Sequence, residues 1–171
     1  MRSLRISRPA SASRNVNAIE LGYLGARKVD LDTAMRESDF VVVCCLLNDE
    51  TRHLLGAPQF AGMKPTANFV NVARGPIVDE AALIDALRAR RIAGAALDVF
   101  EQEPVATDNP LLAMDNVIVT PHSLCWTDEC FHNMAVTGLA SIVDALAGRR
   151  PEFVVNPDVL AHPRVRIRPT R

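Results

Sequence analysis

The chain has 171 residues, 49% of them hydrophobic, enough apolar material for the core of one ordinary globular domain. Its 19 basic and 20 acidic residues leave a formal net charge of −1, which removes any electrostatic case for nucleic acid or a membrane surface as a partner. No apolar stretch approaches the roughly 20 residues that span a bilayer, and residues 1–8 carry three arginines without a signal-like apolar segment, so the expected location is cytoplasmic.

In chain order, residues 4–7 are expected to form a short strand and residues 11–22 a helix closed by Gly22, with Gly25 in the turn beyond. A helical turn over 32–38 leads into 40–45 (FVVVCC), an unbroken β-branched run that fits a strand covered on both faces. Cys44 and Cys45 read as small core residues of that strand, pointing to opposite sides. Three further apolar runs, 67–73 (ANFVNVA), 94–100 (GAALDVF) and 116–121 (NVIVTP), read as buried strands.

Asp79 is expected to cap a helix over 80–90, where Leu83, Ile84 and Leu87 form one apolar stripe and arginines gather at the C-terminal end. A longer helix over 127–146 places Asp128 and Glu129 in its first turn, with Phe131, Met134, Ala135, Gly138, Ile142 and Leu146 marking its expected buried side. From Gly148 onward, prolines and arginines give an extended tail. Strands alternating with helices through short connections imply βαβ units, hence an α/β fold with a parallel sheet.

Arg74, Glu103 and His122 each stand just beyond one of the three buried runs. In a parallel sheet, groups past the carboxyl ends of neighbouring strands converge on one crevice. An imidazole titrates nearest to neutral pH, so His122 suits proton transfer to a carbonyl or from a hydroxyl. A carboxylate such as Glu103 would orient the ring, and the planar fork of Arg74 suits a substrate carboxylate. Taken singly, each of the three is explained as well by a solvated charge or a helix cap. Their joint placement is what points to a site.

The segments FVNVARGPIVDE (69–80), GAALDVFEQEP (94–104) and NVIVTPH (116–122) resemble signatures of the D-isomer-specific 2-hydroxyacid dehydrogenases. SDFVVVCCLLNDETRHLL (38–55) is similar to the preceding strand and turn of that family, with Leu46 where a proline is common. The resemblance covers about residues 4–146. It implies a doubly wound, Rossmann-type nucleotide-binding domain and hydride transfer between a nicotinamide and a 2-hydroxy or 2-oxo acid. It further implies that His122 is the acid/base catalyst, Glu103 and not Glu101 its partner, and Arg74 the substrate anchor. Val72, Ala73, Arg74, Asp98 and His122 would line the nicotinamide end of the cofactor site.

The glycine-rich turn that holds the pyrophosphate in such domains is not present, since no two of the eight glycines make a G-x-G pair. The expectation is therefore an incomplete sheet lacking its first strand and that turn, with a partial NAD(P)-binding domain over 1–148 and a tail over 149–171. Such a chain would bind cofactor weakly, turn over slowly or not at all, and associate through an exposed sheet edge or as a homodimer. The alternative is a non-catalytic remnant that serves as an interaction module.

Members resembling this chain that prefer NAD usually carry an acidic residue at the end of the second strand, whereas an arginine there accommodates the 2′-phosphate of NADP. If 4–7 is that strand, Arg8 leans the choice toward NADP, though an exposed arginine with no cofactor role explains it equally well. His122, Cys125, Cys130 and His132 can be written as a four-ligand set, but their spacing is unlike a zinc knuckle, and no metal is expected. Trp126 reads as an anchor at the start of the last helix, or as a cover over the crevice.

Overall fold

The computed structural model describes residues 9–13, 16–162 and 165. The chain divides into two compact units, Met1–Leu124 and Cys125–Arg171. The expected strand over 4–7, and Arg8 with it, lie outside the described residues.

The first unit opens with strand β1 (Ala10–Ser11), helix α1 (Ala18–Tyr23) and strand β2 (Arg27–Lys28), which pairs in parallel with β1. The helix expected over 11–22 therefore begins later. Ser11 is held in β1 opposite Lys28, and the Asn17 side chain caps α1 by accepting from the Ile19 amide at 2.9 Å. Gly25 adopts φ 67° in the turn beyond, a conformation that glycine takes at little cost.

Helix α2 (Leu31–Glu37) starts on Asp30, whose carboxylate accepts from the Thr33 amide at 2.7 Å. There follow β3 (Phe40–Val43), α3 (Ala57–Gly62), β4 (Asn68–Asn71), α4 (Glu80–Arg88), β5 (Gly94–Leu97) and β6 (Val117–Val119). Strands β3, β4, β5 and β6 lie in that order in one wholly parallel sheet. The α4 helix is capped by Asp79, which accepts from the Ala82 amide, and ends at Arg88, two residues earlier than expected; Arg90 lies past the end at φ 50°.

The helices cover one face of this sheet. Phe69 of β4 and Leu97 of β5 pack there with Met35, Phe60, Leu83 and Leu87, and the Phe60 and Phe69 rings meet edge to face at 5.2 Å. Gly94 is required by the close approach of β5 to the start of β6, because a Cβ there would sit 2.6 Å from the Asn116 carbonyl oxygen.

The opposite face corrects the expectation of a strand covered on both sides. Val43 is buried, but Phe40 and Val42 are more than half exposed because α2, α3 and α4 pack on the Val41 and Val43 side. The strand ends at Val43, so Cys44 and Cys45 are exposed groups beyond it and not core residues.

In the second unit, Thr127 caps α5 (Asp128–Leu146) by accepting from the Cys130 amide at 3.1 Å. The side expected to be buried is not: no residue of α5 is buried, and Phe131, Met134, Ile142 and Leu146 are all half exposed or more. Among the described residues its own unit contains beyond the helix only a short 3-10 turn (Pro157–Ala161), too little apolar surface to cover it. The tail expected to be extended thus includes one helical turn. Trp126 packs at a tilt against Phe131, ring centres 6.1 Å apart, as an anchor at the helix start would. Among the described residues no helix is long and apolar enough to cross a membrane.

Candidate active site

Strands β4, β5 and β6 are adjacent and parallel, so the chain leaves all three at the same edge of the sheet, and Arg74, Glu103 and His122 follow from those three ends. The His122 Nδ1 and the Glu103 Oε2 are 2.8 Å apart. The other Glu103 oxygen accepts from the Phe100 amide at 3.0 Å, which locks the carboxylate against its own loop. Burial alone would raise the Glu103 pKa. The hydrogen bond from His122, the Phe100 amide and the nearby charges of His122 and Arg74 outweigh it and hold the carboxyl below its ordinary value.

Asp98, at the end of β5, is 5% exposed and lies beneath the His122 turn. Its Oδ1 accepts from the Thr120 hydroxyl and from the Ser123 amide at 2.9 Å, and its Oδ2 from the Leu124 amide at 3.1 Å. Burial again acts to raise this carboxyl, and these three donors together with the His122 charge bring it below the ordinary range. The same contacts explain the backbone of His122, which has φ 52°, a left-handed conformation that costs a residue other than glycine about 1–3 kcal/mol. Hydrogen bonds to a charged group contribute about 1.5–3 kcal/mol each, enough for the two amides on Asp98 to hold the turn. Asp98 thus positions the histidine, and its carboxylate is committed to this chain's own donors.

The third member is set by two residues that sequence reasoning did not single out. Asn71, buried in β4, donates from Nδ2 to the Arg74 carbonyl at 3.0 Å and accepts the Ala73 amide on Oδ1 at 3.1 Å, so that its side chain closes the turn carrying Val72, Ala73 and Arg74. Gly75 presses that turn onto the loop after β5: a Cβ at Gly75 would lie 1.8 Å from the Phe100 carbonyl oxygen and 2.4 Å from the Glu101 nitrogen. Only glycine permits this approach. The exposed Arg74 guanidinium donates to the Ala73 carbonyl at 2.6 Å, and its charge reaches Glu103. Asn71 is detectable in the sequence as a polar residue on the inward-facing side of an apolar strand, whereas the Gly75 contact depends on how two loops meet.

Glu101 lies on the other side of the same loop. Its Oε1 is 2.5 Å from His53 Nε2 and its Oε2 accepts from the Glu80 amide at 3.2 Å, while the Glu101 amide donates to Glu80 at 2.9 Å. The two glutamates of residues 101–103 therefore face different histidines, and it is Glu103 that faces His122. Val72 and Ala73, at the end of β4, are half-buried. Among the described residues no three His, Cys, Asp or Glu side chains gather as a metal-binding group.

A sequence profile described as the D-isomer specific 2-hydroxyacid dehydrogenase, NAD binding domain, matches residues 9–123, which include every residue of this constellation. The chain belongs to that family. Glyoxylate/hydroxypyruvate reductase B of Shigella boydii serotype 4 is 52% identical over 134 residues, 78% of this chain and 41% of the relative. The chain thus spans about two fifths of the length of the curated relatives it matches. Among solved structures, the NAD-complexed D-isomer specific 2-hydroxyacid dehydrogenase from Lactobacillus delbrueckii ssp. bulgaricus superposes with a TM-score of 0.78 at 31% identity, covering 85% of this chain and 48% of that one. The D-isomer specific 2-hydroxyacid dehydrogenase from Xanthobacter autotrophicus Py2 gives 0.72 at 42% identity, over 87% and 48% of the two chains. The parallel α/β sheet is that of a Rossmann-like nucleotide-binding domain.

Proposed function

We propose that the protein is an oxidoreductase that moves a hydride between a nicotinamide cofactor and a small 2-hydroxy or 2-oxo acid, and that the chain alone does so slowly. The observation that carries this reading is the 2.8 Å contact between His122 and Glu103 at the sheet edge shared with Arg74. With Nδ1–H donating to Glu103, the protonated Nε2–H of the imidazolium delivers its proton to the substrate carbonyl oxygen in reduction, and the bare Nε2 of the neutral ring takes it from the hydroxyl in oxidation. Arg74 binds the substrate carboxylate through its planar fork and stabilises charge developing on the adjacent oxygen.

The half-buried backbone of Val72 and Ala73 fits the nicotinamide end of the cofactor, which when bound supplies the hydride. Asp98 contributes to that end by holding the His122 turn. Arg8 leans the choice toward NADP. In this reading residues 1–148 are part of the NAD(P)-binding domain and 149–171 its tail, the protein is cytoplasmic, and it works as a homodimer.

Glyoxylate and hydroxypyruvate are the substrates to try, because the similar reductase of Shigella boydii is named for them. Loss of reduced nicotinamide is followed with each acid, using NADH and NADPH in parallel. Acid-dependent oxidation, faster with NADPH, supports the proposal. A second reading, a non-catalytic interaction module, is favoured by the exposed apolar side of α5. It gains support if a folded, dimeric sample neither binds nor oxidises either cofactor.

A further inference from the structure

Arg74 and Glu103 sit on separate loops, and one residue outside the constellation is bonded to both loops. The His53 amide donates to the carbonyl of Pro76, just beyond Arg74, at 2.9 Å. The His53 Nε2 lies 2.5 Å from the carboxylate of Glu101, just before Glu103. Past His53 the chain follows the Arg74 turn into α4. Leu55 forms an isolated parallel bridge with Val78, its amide donating to the Ile77 carbonyl at 3.2 Å and its carbonyl accepting from the Asp79 amide at 2.9 Å.

Glu101 is held from its other side as well. Its Oε2 accepts from the Glu80 amide, Glu80 accepts in return from the Glu101 amide, and the second Glu80 oxygen accepts from Asn109 Nδ2 at 2.7 Å. Both oxygens of Glu101 are therefore engaged, and the first residue of α4 is clamped to the loop. The Phe100 amide that bonds Glu103 belongs to the same loop, so it fixes the carboxylate within the loop and not the loop against the site. Gly75 lets the two loops approach. The bonds to Glu101 hold them in register.

The backbone of His53 has φ 51°, the left-handed region that residues other than glycine rarely enter. Its side chain is 47% exposed and that of Glu101 35%, and an ion pair this open contributes little to global stability. Placement accounts for the arrangement better than stability does. We infer that His53 is a positioning residue for the proposed reaction: through Glu101 it sets the loop that turns Glu103 toward His122, and through Pro76 it keys that loop to the turn carrying Arg74. The inference rests on the proposed role of the His122–Glu103 pair.

The tautomer of His122 reports this placement without cofactor, substrate or turnover. A neutral imidazole carries one ring proton, and a carboxylate that accepts from Nδ1 keeps it there; without that acceptor the proton is free to occupy Nε2. Ring nitrogen shifts of His122, from long-range proton–nitrogen NMR spectra of the intact chain at about pH 9.5, well above the ordinary imidazole pKa, give the ratio of the two forms. The parent is expected to hold mainly Nδ1–H.

In His53→Ala the ratio of Nδ1–H to Nε2–H should fall at least about fivefold, the worth of an ordinary hydrogen bond. His53→Gln, whose amide donates from the place of Nε2, should keep the ratio within about twofold of the parent. Glu101→Ala cuts the same tie from its other end, should match His53→Ala, and decides the matter if that variant does not fold. An unchanged ratio in the alanine variants, or equal losses in His53→Ala and His53→Gln, would overturn the inference and leave the His122–Glu103 pair standing. A parent without excess Nδ1–H would overturn that pair and the inference with it.

Discussion

His122 and Glu103 meet at 2.8 Å from the ends of two adjacent strands, and the same glutamate is fixed from behind by the Phe100 amide. Glu103 and Asp98 both hold their protons less tightly in the folded chain than at the ordinary values of 4.5 and 3.8. The unfolded chain therefore binds more protons in acid. The stability these two carboxylates contribute is fully present above their ordinary values and is lost as pH falls through the lower folded values.

Asp98→Asn tests this directly. The amide keeps the shape but turns a donor toward amides that need an acceptor, at a cost of about 1–3 kcal/mol at neutral pH. Urea denaturation across the acid range should show the variant losing less stability than the parent as pH drops below 3.8, because one of the groups that titrates on folding has been removed. Parallel losses would show that Asp98 does not carry the acid dependence.

Gly75→Ala should be severe, since its methyl group would overlap the Phe100 carbonyl and force two backbone segments apart. Overpacking of this kind costs about 1–3 kcal/mol or more. Gly138→Ala, inside α5 with nothing within 4 Å of the added carbon, should instead stabilise that helix by up to about 1 kcal/mol. Chemical denaturation with helical circular dichroism as the probe separates the two outcomes.

Asn71→Ala removes both side-chain hydrogen bonds that close the β4 turn and leaves the half-buried Ala73 amide without its acceptor, an expected loss of about 1–3 kcal/mol. The effect should extend to the site. Amide exchange at Ala73 and Arg74 should quicken more than exchange in β6, which does not pair with β4.

Arg74→Lys keeps the charge but not the fork. A lysine offers a point charge where two parallel hydrogen bonds are expected, so the KM for the acid should rise about tenfold or more with a smaller effect on kcat. Unchanged KM would remove Arg74 from substrate binding.

The parallel sheet was legible because β4, β5 and β6 are short apolar runs bounded by charged or turn residues, Asp79 announced its helix as a cap, and Asp128 and Glu129 marked the first turn of the last one. The trio was legible because each member follows a strand. Coverage was not. A run such as FVVVCC has the same pattern whether one face or both are covered, and only the packing of α2, α3 and α4 on a single face decided that Phe40 and Val42 stay exposed. The apolar side of α5 was read correctly as apolar, but apolarity does not supply a partner. Asn71 could have been found as a polar residue on the buried side of β4, whereas Gly75 and the amides on Asp98 act through backbone contacts that residue type alone does not encode.

The most direct measurement is single-turnover reduction of glyoxylate, with the chain in excess over substrate and reduced cofactor in excess over both, in the parent and in His122→Gln. If His122 moves the proton, the variant should slow by about a hundredfold to ten-thousandfold while its fold and cofactor affinity are unchanged. A variant that reacts as fast as the parent, or a parent no faster than buffer with cofactor and substrate, would contradict the assignment.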